Sequence, residues 1–148
     1  MAETLGSICD KLTIVKLKQF HTEDKSRLES LNQQEGQLKS EIDNFIFDAL
    51  NGNIPVDRLS FKANKVFKES GNSIRDIKGS IGEVFAKLAE VNCQLWHEQE
   101  KVYEFEVVPP EEKNTVVKQL AILNLERNKC IDEIDKSFTL FVVNKNNE

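Results

Sequence analysis

The sequence contains only two histidines, His21 and His97, the residue type best suited to moving protons near neutral pH. Each is followed three residues later by a carboxylate, Asp24 in one case and Glu100 in the other, with Glu23 and Glu98 close by. On a helix this spacing places each histidine and its acid on one face. Such pairs can serve as surface hydrogen bonds, as acid and base, or, on facing helices, as part of a di-metal carboxylate site. The metal-binding element of helical proteins runs Glu-x-x-His, however, and here each histidine precedes its acid. No metal is therefore expected; His21, Asp24, His97 and Glu100 are the residues that a metal-binding bundle would have to use.

Two further polar features carry possible chemistry. Lys11, Lys18 and Lys25 recur every seven residues beside Asp10. On one continuous helix they form a row that either solvates an exposed flank or binds phosphate and sugar-nucleotide anions. Asn124, Arg127 and Asn128 interrupt an apolar stripe between Leu123 and Ile131. An arginine at core spacing needs a carboxylate, because burying it unpaired costs several kcal/mol. Glu90, Asn92, Glu98 and Asp10 are candidates for that network, although Asp10 also stands next to lysines. The network either fixes the register of the helices or lines a pocket.

The surrounding elements read as helical. Thr4 to Asp24 and Ser80 to Glu100 echo one another, pairing Gly6 with Gly82, Lys11 with Lys87, Val15 with Val91, Phe20 with Trp96 and His21 with His97. The echo predicts similar positions for two helices, by a shared amphipathic pattern or by duplication. With six Gly and three Pro, breaks are few. Helix A is expected over 4–51, continuous through Thr22, capped by Thr4 and ended at Asn51-Gly52-Asn53. Glu35 interrupts its apolar seam, and Gly36 marks a kink or a close contact. Helix B is expected over 55–69, ending at Ser70-Gly71-Asn72. Helix C, capped by Ser73, is expected over 73–106 with Ile74, Ile77, Ile81, Val84, Leu88, Val91 and Leu95 inward. Tyr103 to Val108 alternates apolar and acidic residues and suits a short extended exit before Pro109-Pro110. Helix D follows over 110–138, with residues 139–143 either helical or extended and a frayed tail beyond. The expected fold is all-α: one domain over 1–148, an antiparallel helical bundle of three long helices plus one short helix.

The totals narrow the function. A chain of 148 residues can bury its own core. Its apolar runs are too short to span a membrane. The opening MAETLGSICDK lacks a basic segment followed by an apolar one, so a cytoplasmic location is expected. A net charge of −5, with one Trp and one Tyr, argues against nucleic acid as a partner. Cys9, Cys93 and Cys130 have no CxxC spacing and read as core thiols of a reducing compartment. There is no nucleophile constellation, no phosphate-binding glycine loop and no cofactor fingerprint, so no cofactor is expected. Exposed apolar seams favour a homodimer.

Asp10-Lys11-Leu12-Thr13-Ile14, then Val91-Asn92 with Leu95-Trp96, then Leu123-Asn124 with Arg127-Asn128, form a D-K-L-[ST]-I opening, a V-N-x-x-L-W middle and an L-N-x-x-R-N close. In this the chain, from Thr4 to Phe138, resembles a bacterial all-helical family with members labelled as lipopolysaccharide core or surface-polysaccharide biosynthesis proteins. Phe20 stands where that family has Trp as often. The resemblance implies a helical fold and supplies no catalytic residues. The expected function is a non-catalytic helical accessory or interaction protein, associated with an enzyme of envelope polysaccharide biosynthesis. The alternative is an enzyme or sugar-phosphate binder built on a polar seam. The ligand-binding candidates are Asp10, Lys11, Lys18, His21, Asn92, Trp96, His97, Glu98, Asn124 and Arg127.

Overall fold

A computed structural model describes residues 2–61 and 77–147, and these are all-helical, with no strand among them. Four α-helices follow in order: α1 (Leu5–His21), α2 (Lys25–Leu50), α3 (Ile81–Tyr103) and α4 (Pro110–Asn146). α1 lies along α2, α3 lies along α4, and α1 also packs on α3 and α4. As α1 advances from Gly6 to Asp10, its polar partners on α4 retreat from Asp135 to Arg127.

The N-terminus of α1 is set by a capping box: the Thr4 hydroxyl accepts from the Ser7 amide, and the Ser7 hydroxyl accepts from that of Thr4. The expected continuous helix A is broken at residues 22–24. Thr22 is extended, with φ −113° and ψ 128°, and Asp24 caps α2 by accepting from the Arg27 amide at 2.9 Å. No Gly or Pro forces this turn. It lets α2 fold back on α1, where Glu35 accepts from Gln19 at 2.8 Å and from Lys16 at 3.2 Å. Glu35, the polar member of the seam, is thus a cross-helix contact. α2 runs unbroken through Gly36, where an added Cβ would meet open space. It ends where expected, with Gly52 at φ +75°.

Of the expected helix B, only a 3-10 turn, Val56–Arg58, and the buried Leu59 lie among the described residues; 62–69 and the terminator at 70–72 lie outside them. The expected start of helix C, at 73–76, lies outside as well. Residues 77–80 are not helical: Gly79 has φ +135°, and the Ser80 hydroxyl caps α3 by accepting from the Glu83 amide. α3 stops at Tyr103, and Phe105–Val107 forms a 3-10 turn rather than an extended exit. Pro110 starts α4, which runs eight residues beyond the expected 138 because Val142, one turn after Phe138, is again a core position.

The core is drawn from all four helices. Leu5 and Cys9 of α1, Ala49 of α2, Val84 and Leu88 of α3, and Cys130, Ile134, Phe138 and Val142 of α4 form one buried cluster together with Leu59 and Ile77.

Candidate functional site

One polar residue from each of the three sequence motifs, Asp10, Asn92 and Arg127, is gathered between α1, α3 and α4. Asp10 is 3% exposed and Asn92 1% exposed. Arg127 donates from Nε to Asp10 Oδ1 at 2.9 Å and from Nη2 to Oδ2 at 2.5 Å, the paired geometry that suits a guanidinium to a carboxylate. Asn92 Nδ2 donates to Asp10 Oδ1 at 2.9 Å and to Thr13 Oγ1 at 2.7 Å, while the Thr13 hydroxyl donates to the Asp10 carbonyl at 2.7 Å. The carboxylate of Asp10 thus receives three donors, which offset the cost of burying its charge. Its hydrogen bond to Arg127 in turn raises the pKa of the guanidinium, against the effect of burial. Asp10 therefore pairs with Arg127 rather than with a neighbouring lysine.

One turn toward the N-terminus stands a second buried cluster that the sequence did not announce. Asp135 is 1% exposed and accepts the Gly6 amide at Oδ1, 2.7 Å away. Burial pushes its carboxyl up to about 6, against the lowering effect of hydrogen bonds from Thr4 and Gly6. Its Oδ2 is buried without a partner among the described residues. Gly6 is required here: a Cβ would lie 2.6 Å from the Ile131 carbonyl and 2.9 Å from Asp135 Oδ1. Gly82, its counterpart in the echo, faces open space. Cys9 is buried close to both clusters; burial first, then the charges of Asp135 and Asp10, push its thiol up to about 12. It is therefore no nucleophile at neutral pH.

The histidines go elsewhere. His21, exposed at the end of α1, stacks on Trp96 with ring centroids 4.6 Å apart, and its Nδ1 lies 2.8 Å from the Leu17 carbonyl. Asp24 does not share its helix face, because the chain breaks between them and the Asp24 carboxylate is spent as a cap. Glu100 accepts the Trp96 indole N–H at 3.0 Å, and Glu98 pairs with Lys101 at 3.0 Å. His97 lines shallow depressions along α3, one of them with Cys93, Gln119 and Leu123. Among the described residues, no three His, Cys, Asp or Glu converge in a way that would hold a metal. Asn124 is exposed, and its carbonyl accepts from Asn128, so of the expected polar break in α4 only Arg127 enters the network.

The break at residues 22–24 also shortens the lysine row. Lys25 opens α2 instead of extending α1, and Lys11 pairs with Glu3 at 2.5 Å. Lys11 and Lys18 nevertheless border, with Asp10 and Arg127, a groove of about 330 Å³ between α1, α2 and α4. Ile14, Val15 and Leu38 supply its apolar part.

In comparisons with family models, with curated proteins and with solved structures, the chain matches none.

Proposed function

We propose that the chain is a non-catalytic helical accessory protein, an antiparallel bundle that works as a cytoplasmic homodimer beside enzymes of bacterial envelope polysaccharide biosynthesis. One observation carries this reading: Asp10 of α1 is bonded both to Asn92 of α3 and to Arg127 of α4, so one polar residue from each of the three motifs is held at a single carboxylate. Side chains engaged in this way hold helices together, which supports a structural role for them. The two histidines, placed apart from Arg127, point the same way. The link to envelope enzymes rests on the family resemblance that the three motifs carry. Self-association is supported by large apolar side chains left in solvent on the described helices, among them Phe20, Phe47, Leu140 and Phe141.

The reading is tested by affinity capture with the tagged full chain in a bacterial lysate, coupled to light scattering of the purified protein. Recovery of a polysaccharide-synthesising enzyme and a mass of two chains are expected. Capture that yields no envelope-biosynthesis protein, or a monomer at high concentration, would overturn the corresponding part.

A further inference from the structure

The groove between α1, α2 and α4 combines three features that the buried network does not require. The guanidinium of Arg127 is held rigid by Asp10 but is one-third exposed, and its Nη1 has no partner among the described residues. Lys18 borders the same groove, is exposed, and is engaged in no ion pair among the described residues. Across from these cations, α2 contributes Gln34, Gln37 and Glu41, with Leu38 and Ile14 forming an apolar patch between the two sides.

We propose that this groove binds a small phosphorylated polyol. A phosphate dianion takes the open N–H of Arg127 and the ammonium of Lys18, one a planar donor fixed in place and the other a flexible point charge. Hydroxyls reach the amides of Gln34 and Gln37 and the carboxylate of Glu41, and the C–H face of the ligand rests on Leu38 and Ile14. The volume suits a ligand of a few carbons, at the small end of ligand pockets. Because Asp10 fixes the guanidinium beforehand, little side-chain entropy is lost on binding. This inference is independent of the accessory role proposed above, since a non-catalytic protein can carry such a site as a sensor.

The test is an amide-resolved NMR titration of the full chain with glycerol 1-phosphate, with glycerol and with inorganic phosphate. Saturable shifts at Ile14, Lys18 and Gln37 are expected with glycerol 1-phosphate and none with glycerol. Lys18→Glu, a surface change that leaves the Asp10 network intact, should weaken binding about tenfold, and the charge-matched Lys118→Glu at an exposed position of α4 by less than about twofold. Shifts that never saturate, or equal weakening by both variants, would show general charge screening and overturn the site. Inorganic phosphate binding as tightly as glycerol 1-phosphate would overturn the polyol.

Discussion

The carboxylate of Asp10 and the guanidinium of Arg127, 117 residues apart in the chain, meet through two hydrogen bonds of 2.9 and 2.5 Å. Removing only the cation leaves a buried charge. Arg127→Met is therefore expected to cost about 3–5 kcal/mol. Asp10→Asn combined with Arg127→Met removes both charges and keeps an acceptor for Asn92, so it should cost much less. Urea denaturation followed by circular dichroism measures both. Equal losses in the single and double variants would mean that charge compensation is not what the pair provides.

The Gly6 contact gives a sharper contrast. Gly6→Ala drives a methyl into the Ile131 carbonyl and is expected to destabilise by about 2 kcal/mol. Gly36→Ala, in the open middle of α2, should instead stabilise by up to about 1 kcal/mol. Thermal unfolding of the two variants should move in opposite directions.

Asp135 makes stability depend on pH. Its carboxyl titrates at about 6 in the folded chain, against 3.8 as its ordinary value. Between those values the folded state holds the extra proton, so the contribution of Asp135 is full below about pH 4 and is lost as pH rises through 6. The difference amounts to about 3 kcal/mol. Glu35 has the opposite sign: Gln19 first, then Lys16, pull it down to about 2, so its contribution is lost as pH falls from 4.5 toward that value. Asp135→Asn should gain on the wild type as pH is raised from about 4 to about 7. A constant difference across that range would contradict the assignment to Asp135.

The thiols should separate by burial. Cys93 is exposed, whereas Cys9 and Cys130 are buried. A thiol reagent should label one cysteine in the folded protein and the other two only on unfolding, and Cys93→Ser should abolish the fast phase. Rapid labelling of Cys9 would show that the helices open readily where α1 meets α4.

Helix content was legible because the stripe from Ile81 through Val84, Leu88 and Val91 has one period and because Gly52 and Pro110 are local stops. The turn at Thr22–Asp24 was not legible as a break. It has no Gly or Pro, and α2 is held back on α1 by the Gln19–Glu35 and Lys16–Glu35 contacts. The late start of α3 rests on Gly79, whose positive φ the periodic stripe concealed. Within the candidate site, Arg127 could be read as needing a carboxylate, but helical spacing cannot choose among partners on other helices. Of the two histidine–acid pairs, His21 and Asp24 were separated by the turn between them, whereas His97 and Glu100 do share a face of α3 and line one depression there, with Glu100 engaged by the Trp96 indole. Asp135 was missed because a carboxylate flanked by Asp132, Glu133 and Lys136 reads as part of a solvated face. Only Gly6, placed opposite it, makes that position a core one.

The Gly6–Asp135 and Asp10–Arg127 contacts also set an order of assembly. α1 with α2, and α3 with α4, are neighbours in sequence and close short loops, whereas these two contacts close loops of 129 and 117 residues. On the ribosome α1 emerges before α4, so Gly6 and the charge of Asp10 wait for Asp135 and Arg127 until α4 is made. Of these helices α1, though made before the others, is thus the last to be locked, and loss of α4 would leave the charge of Asp10 exposed on an unfinished surface.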